Sequence, residues 1–363
     1  MLTRLNTLAP PPVMLLGSVP LMDVQAVFTA AARAIGPRMK RWPDGETGAR
    51  RNWIGCQHAV FAAVAELIPA AAKERDYQLH VPFAVRSGVA LKSTLESIVF
   101  GPLGYAESAL ASYQVFRTQK RAGVLPPDAR FLVALPSPWA PVYSFIAYRW
   151  QQAIYPIYAQ ALLNEVAAIT GAIPPDELTI QWDVATEMSW WERVYPAPFD
   201  DVESGIIDAL AAVCAAVPPA VELGLHLCYG SMANTRWKEP VDLANCVAIT
   251  NRLSEQLTRA LGYVHMPVPS NRRDPGYFAP LADLVLAPGC ELYLGLLHLA
   301  DALPGALARI EVARRFAPQF GLACECGLGR YQPEVIPAWL ELHGAAADAA
   351  APLFQYFPEE PHP

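Results

Sequence analysis

The sequence predicts an α/β protein that folds as a single (β/α)8 TIM barrel, and three observations support this fold class. Short apolar runs alternate with longer Ala- and Leu-rich stretches along the chain. Continuous apolar runs separated by helices are typical of parallel strands that are buried on both faces. Eight or nine such units follow one another without a linker or a break in composition, and the length of 363 residues is common for α/β barrels built as one domain.

The predicted elements follow from these runs in chain order. The runs that predict strands are 13–19, 38–42, 78–85, 131–136, 178–184, 222–228, 262–266, 291–297 and 321–326. The stretches that predict helices include 23–35, 157–170, 203–216, 241–261 and 303–316. Nine strands are one too many for this barrel, so we interpret the run near residue 78 as part of an insertion. We expect one catalytic domain over 1–363, with a Pro/Glu-rich tail at 356–363 that is flexible.

An open doubly wound sheet is the competing architecture. That fold usually carries a Gly-rich phosphate-binding loop after its first strand. Here the corresponding residues 17–20 read G-S-V-P, which lacks the required glycine spacing. The barrel is therefore the favoured prediction.

Composition and charge exclude several classes of protein. Hydrophobic residues make up 53% and charged residues 17% of a chain with a formal net charge of −7. Lys and Arg form no basic stripe, which argues against nucleic-acid binding. The apolar stretch 13–17 is too short for a signal peptide, and no uncharged apolar run reaches membrane-spanning length. We therefore expect a soluble cytoplasmic protein, with a homo-oligomer left open.

Seven cysteines are an odd number for a disulfide framework, so reduced thiols are expected. His226 and Cys228 end one predicted strand, and alternation along that strand places both on the same face. Cys326 closes the last predicted strand. One histidine and two cysteines from non-adjacent strands predict a Zn²⁺ site with an open fourth position, which is typical of catalytic zinc. Each residue alone could equally be an ordinary buried thiol or core histidine.

The open position has three candidate occupants. His265 ends another predicted strand and is the candidate fourth ligand, while a substrate thiol or a water molecule would serve as well. Cys324 shares a face with Cys326 but lies one layer deeper, so we interpret it as a core residue.

Polar side chains follow several of the other predicted strands, where the active site of a barrel lies. His298 ends one strand, where it could transfer a proton or lie on the rim as a non-functional residue. Trp139 follows another strand, and the loops after the next two hold Trp190, Trp191 and Trp237. These tryptophans suggest an aromatic or apolar second substrate, although they could also pack the upper rim.

A resemblance to a known family rests on four stretches of the chain. These are G-S-V-P at 17–20, D-G-E-T-G-A-R-R-N-W-I at 44–54, Q-W-D at 181–183, and the pair H-L-C-Y-G at 226–230 with C-G-L at 326–328. They resemble the motifs G-S-F-P, H-G-E-x-x-R-x-D-M-V, Q-I-D-E-P, H-x-C-Y and D-C-G-L of the cobalamin-independent methionine synthase family. The similarity is to its catalytic C-terminal barrel, of the UROD/MetE-like type, and extends to relatives such as epoxyalkane:coenzyme M transferase.

This resemblance implies that His226, Cys228 and Cys326 bind zinc. It also implies that Ser18, Glu46 and Asp183 hold the amino-acid part of homocysteine. The two carboxylates suit that role because a buried ammonium group needs an anionic partner. Ser18 could alternatively cap a helix, Glu46 could pair with a neighbouring arginine, and Asp183 could be a structural acceptor.

The implied function is zinc-dependent alkyl or methyl transfer. Zinc would activate a small-molecule thiol as a thiolate that attacks an electrophilic carbon of an alkyl or methyl donor. Asp183 and His298 are then the predicted catalytic side chains, and Ser18, Glu46, Asp183 and Trp139 the predicted substrate-binding ones. The chain departs from the family because its zinc-binding glutamate at the end of strand six has no counterpart, and His265 stands near that place.

The sequence also leaves three other functions open. A zinc-dependent lyase or hydrolase would use metal-activated water, although two cysteine ligands reduce the Lewis acidity of zinc. A decarboxylase-like barrel without metal would leave the cysteine motifs unexplained. A non-catalytic binding protein would leave the polar strand ends unexplained.

Overall fold

Eight parallel strands form a nearly closed barrel in the computed structural model, which describes residues 10–71, 81–86, 91–230 and 235–354. The strands in chain order are β1 (Val13–Met14), β2 (Arg41–Pro43), β3 (Leu67–Pro69), β4 (Phe83–Val85), β5 (Arg130–Pro136), β6 (Leu178–Val184), β7 (Glu222–Leu227), β8 (Tyr263–Pro267), β9 (Glu291–Leu297) and β10 (Gly321–Cys324). The barrel sheet has the order β1-β10-β9-β8-β7-β6-β5-β2. The predicted (β/α)8 fold class is therefore confirmed.

The barrel closes between β1 and β2 just beyond the ends of both strands. Ser18 forms an isolated parallel bridge with Gly45, and the Val19 amide donates a 2.8 Å hydrogen bond to the Gly45 carbonyl. Gly45 has a φ of +81°, and a Cβ atom there would lie 2.6 Å from Val27. Position 45 requires glycine, because any side chain would clash with Val27 and would disfavour the positive φ.

Helices surround the barrel and cover the outer faces of its strands. They are α1 (Val24–Ile35), α2 (Gln57–Ala62), α3 (Leu91–Ser97), α4 (Tyr105–Arg121), α5 (Trp139–Phe145), α6 (Gln151–Ala172), α7 (Thr186–Trp191), α8 (Val202–Ala215), α9 (Ala244–Gln256), α10 (Pro275–Phe278), α11 (Ala302–Ala313) and α12 (Ile336–Phe354). The Asp23 side chain caps α1 by accepting a 2.8 Å hydrogen bond from the Ala26 amide. Among the described residues, no helix combines the length and apolar character needed to cross a membrane.

Several predicted boundaries differ from the observed ones. The run 13–19 forms a strand only over Val13–Met14, and the helical stretch 241–261 shortens to Ala244–Gln256. The described part of the run 78–85 contains β4, which pairs antiparallel with β3 in a separate two-stranded sheet. This pairing confirms that the ninth run lies outside the barrel. Residues 78–80 and the predicted tail at 356–363 lie outside the described residues.

An ionic network fills the barrel floor, where the strands begin. The Arg41 guanidinium is buried and donates hydrogen bonds of 2.7 and 2.8 Å to the two carboxylate oxygens of Glu222. It also donates a 2.6 Å hydrogen bond to Glu291, and it lies 4.4 Å from the ring centroid of Tyr263. Burial alone would raise the pKa of Glu222. The hydrogen bonds and the charge of Arg41 outweigh this effect and lower the pKa of Glu222 to about 2.

We predict that Glu222→Gln lowers the free energy of unfolding by about 3 kcal/mol at pH 7, because Arg41 loses the bidentate partner of its buried charge. The folded-state pKa of Glu222 lies below its ordinary value of 4.5, so its ionic contribution is present above that pH and fades as the pH falls toward 2. The difference between wild type and variant should therefore shrink in urea titrations at pH 3.

Glu96→Gln is the matched control. Glu96 pairs with Lys92 at 3.8 Å with both side chains exposed, so its loss should change stability by less than about 0.5 kcal/mol. Equal effects of the two substitutions would contradict a stabilising floor network.

Candidate metal centre and active site

Three predicted metal ligands converge at the barrel mouth, where the strands end. The candidate ligand atoms of His226, Cys228 and Cys326 all lie within 4.8 Å of one another. His226, Leu227 and Cys228 are all buried at the end of β7. Alternation along the strand places His226 and Cys228 on one face and Leu227 on the other. Cys326 arrives from the segment after β10, and its sulfur lies 3.5 Å from that of Cys228. This separation is far longer than a disulfide bond, so the two cysteines are not joined by one.

His265 lies behind His226 and not beside the sulfurs. The Nδ1 atoms of the two rings are 2.8 Å apart, and the Nε2 atom of His265 lies 3.1 Å from the Cys324 carbonyl oxygen. Burial and the neighbouring His226 lower the pKa of His265 well below its usual value. Both ring nitrogens of this candidate fourth ligand are therefore engaged elsewhere.

The donor set fits a zinc ion. Zinc in proteins prefers thiolate and imidazole ligands, and two sulfurs on one tetrahedral ion lie about 3.8 Å apart. The observed sulfur separation of 3.5 Å is close to that value. The Nε2 atom of His226 remains for a metal because its Nδ1 atom faces His265. Three protein ligands leave one tetrahedral position for a substrate or water.

Two buried carboxylates interact electrostatically with the candidate metal ligands. Ser18 donates a 2.5 Å hydrogen bond to the Glu46 carboxylate, and Asp183 accepts hydrogen bonds from Gln181 (2.8 Å) and Trp53 (3.1 Å). Burial and the charge of Asp183 raise the pKa of Glu46 to about 8. Burial also raises the pKa of Asp183 to about 6, although the charge of His226 opposes that shift.

Glu46 is held in place without being neutralised by the arginines near it in sequence. Arg50 forms a 2.6 Å ion pair with Asp44, whereas Arg51 donates to the backbone carbonyls of Gly329 and Tyr331. Asp44 also accepts a 2.8 Å hydrogen bond from the backbone amide of Glu46, whose φ is +46°. Glu46 thus lines a small cavity, which we call the acidic cavity; its lining also includes Gly17, Asp44 and Arg50.

A second, larger cavity is lined by the two sulfur-bearing residues. We call it the sulfur cavity; its lining includes Cys228, Cys326, Arg236, His298, Glu325 and Tyr331. The Nε2 atom of His298 lies 2.8 Å from the Val268 carbonyl, so this nitrogen carries a proton. Its Nδ1 atom lies 4.0 Å from the Glu325 carboxylate. Burial, with the charge of Arg309, lowers the pKa of His298 to about 4, so the ring is a neutral base at pH 7.

Glu325 and Arg236 were not predicted from the sequence. Arg236 donates hydrogen bonds of 2.9 and 2.8 Å to the two oxygens of Glu325. Strict alternation would place Glu325 opposite Cys324 and Cys326, away from the site. The pairing of β9 and β10 is irregular between Leu322 and Cys324, and β10 ends at Cys324. The chain after the strand no longer alternates, which brings Glu325 to the cavity beside Cys326.

The predicted tryptophans lie mainly beneath the rim. Trp139 is 3% exposed, stacks on Tyr155 at a centroid distance of 3.9 Å, and meets Trp190 edge to face. Within the described parts of the chain, Trp139 lines neither the acidic cavity nor the sulfur cavity. Its position therefore matches the rim-packing alternative, because its ring faces are covered by other aromatic side chains.

Comparisons with known proteins reveal a shared fold. No family model matches the chain, and no curated protein matches its sequence. Two solved structures are similar, each with 14% sequence identity. One is a candidate vitamin-B12-independent methionine synthase from Listeria monocytogenes, with a TM-score of 0.56 over 95% of this chain and 99% of that one. The other is a methyltransferase from Methanosarcina mazei, with a TM-score of 0.50 over 94% of each chain. At this level of identity the similarity shows a shared barrel fold.

We predict that the purified protein binds about one zinc ion per chain, and that Cys228→Ser and Cys326→Ser each lose it, because hydroxyl groups are poor zinc ligands. Elemental analysis after dialysis measures this stoichiometry. Cys290→Ser is the control, since Cys290 is also a free thiol but lies outside the converging group. Retention of zinc by both site variants would contradict the assignment.

Proposed function

We propose that the protein is a zinc-dependent alkyl or methyl transferase that transfers a carbon group to the sulfur of a small-molecule thiol. The observation that carries this proposal is the convergence of His226, Cys228 and Cys326, whose two cysteines line a cavity together with the neutral His298 and which interact electrostatically with the carboxylates of Asp183 and Glu46. When bound by these residues, zinc would lower the pKa of a thiol that takes its remaining ligand position.

The acidic cavity supports a thiol that carries an ammonium group, as homocysteine does. Glu46 and Asp183 influence each other's charge, and Asp183 also interacts electrostatically with His226 and Cys326. Burial and repulsion from Asp183 favour a protonated Glu46. An incoming ammonium would favour the ionised carboxylates and donate hydrogen bonds to them, which is how the cavity would distinguish such a thiol from a neutral one.

Continuity between the acidic cavity and the metal ligands supports the same substrate. Ser18 bonds to Glu46 and packs closely on the loop after Cys326, because a Cβ atom at Gly327 would lie 3.2 Å from the Ser18 hydroxyl oxygen. Ser18 thus connects the Glu46 carboxylate to the segment that carries Cys326.

His298 is the side chain best placed to move a proton. Its neutral Nδ1 faces the sulfur cavity, and the Val268 carbonyl holds the ring orientation. In the transfer, the substrate sulfur forms a bond to the electrophilic carbon, and the bond from that carbon to the leaving atom breaks. The leaving atom keeps the electron pair and needs a proton. His298 would accept the thiol proton and deliver it to that atom.

A zinc-dependent lyase or hydrolase is the second candidate, and the neutral base at His298 favours it as well. The neutral ring of His298 could accept a proton from metal-activated water as well as from a metal-activated thiol. The two functions differ in their dependence on added thiol.

We predict that zinc-loaded protein converts an amino thiol and an alkyl or methyl donor into a thioether, measured by loss of free thiol and by mass spectrometry. Glu46→Gln should raise KM for the amino thiol by about 30-fold or more, because an ammonium loses a buried anionic partner. The KM for the same thiol without its amino group should not change. Glu96→Gln is the surface control. Turnover of the donor without thiol would instead support the hydrolase.

We predict that His298→Asn lowers kcat by about 100-fold, the usual contribution of a positioned acid or base, and leaves zinc content and KM for the thiol unchanged. Steady-state kinetics and elemental analysis on the same preparation test this. His58→Asn removes a histidine that packs against Phe83 and Phe145, away from both cavities, and should retain full activity. An unchanged kcat in His298→Asn would exclude this proton-transfer role.

A further inference from the structure

His265 is fully buried next to the metal ligands, and both of its ring nitrogens have defined partners. Its Nε2 atom faces the Cys324 carbonyl at 3.1 Å, and its Nδ1 atom faces that of His226 at 2.8 Å. The two rings are tilted by 49° with centroids 4.8 Å apart, which brings their edges together. This contact is a hydrogen bond between two imidazoles.

The partners determine which nitrogen carries each proton. A carbonyl oxygen can only accept, so the proton of that bond belongs to the Nε2 atom of His265. Full burial beside a second imidazole disfavours a charge on His265, so its ring is neutral and carries only one N–H group. The Nδ1 atom of His265 is therefore an acceptor, and His226 donates its own Nδ1 proton to it. The Nε2 atom of His226 is the ring nitrogen that remains for a metal.

We propose that His265 is a positioning residue that holds His226 as the tautomer with a protonated Nδ1, and that it does not itself bind the metal. The inference depends on the proposed function only in assuming that His226, Cys228 and Cys326 bind zinc. Histidine ligands commonly donate their second ring N–H to an oxygen acceptor. Here a second histidine serves as that acceptor, and the Cys324 carbonyl orients it.

The surrounding chain keeps the His265 ring in this place. A Cβ atom at Gly295 would lie 3.1 Å from the Nε2 atom of His265 and 2.7 Å from the Glu325 Cα. The space for the ring therefore exists because residue 295 is glycine. To become a ligand, His265 would have to abandon the Cys324 carbonyl and the His226 ring together. The fourth metal position consequently remains available to a substrate.

Two substitutions separate a positioning role from a ligand role. His265→Asn retains an acceptor oxygen at the same distance along the side chain as Nδ1, whereas His265→Leu removes the acceptor at similar volume. We expect His265→Leu to weaken zinc binding by about 10- to 100-fold and His265→Asn to remain within about threefold of wild type, measured by competition with a chromogenic chelator. His343→Leu removes another fully buried histidine, on α12, and should leave zinc affinity unchanged.

A second readout needs neither metal nor activity. In the metal-free protein, ¹⁵N NMR of the histidine rings should show His226 protonated at Nδ1, and His265→Leu should shift it toward the Nε2-protonated form. Equal losses of zinc affinity in His265→Asn and His265→Leu, or an Nε2-protonated His226 in the wild type, would overturn the proposal. Failure of the wild type to bind zinc would refute the proposed function, while the tautomer measurement would still decide the role of His265.

Discussion

The parallel register of three neighbouring strands is the constraint on which the site depends. Asp183 on β6 pairs with His226 on β7, which in turn pairs with His265 on β8. Residues paired in this way point to the same face of a parallel sheet, so the three side chains form one row across the barrel interior. A shift of one residue in either pairing would turn part of this row outward. The alignment of these three side chains therefore depends on the hydrogen-bonded register of the sheet.

The two ends of the barrel treat charge differently. At the floor, Arg41 lies between Glu222 and Glu291, and the carboxylates have lowered pKa values because they are paired. At the mouth, Glu46 and Asp183 have raised pKa values because burial is not balanced by a matching cation. Buried charges without a partner lower the stability of the protein. The ion pairs at the floor can offset that loss at the mouth, where the carboxylates are arranged for binding.

The strands and the shared face of His226 and Cys228 were predictable because both depend on local pattern. Apolar runs marked the strands, and the H-x-C spacing placed these two candidate ligands on one face at the end of β7. Features that depend on backbone irregularity or tertiary packing were not predictable. Glu325 reaches the site only because alternation stops after Cys324. The contact between His265 and His226 depends on the β7–β8 register, and the burial of Trp139 depends on Tyr155. None of these distances is encoded in a sequence spacing.

The seam between β1 and β2 links barrel closure to occupancy of the site. The Ser18–Gly45 bridge and the adjoining Val19 hydrogen bond join these edges, and the hydrogen bond from Ser18 to Glu46 lies beside that junction. Local opening between β1 and β2 would separate the Ser18 hydroxyl from Glu46 and disrupt the acidic cavity. A molecule that contacts both side chains would bind only the closed form, so its binding free energy would add to the free energy of local opening. Amide exchange at Val19 would therefore report directly on whether the site is filled.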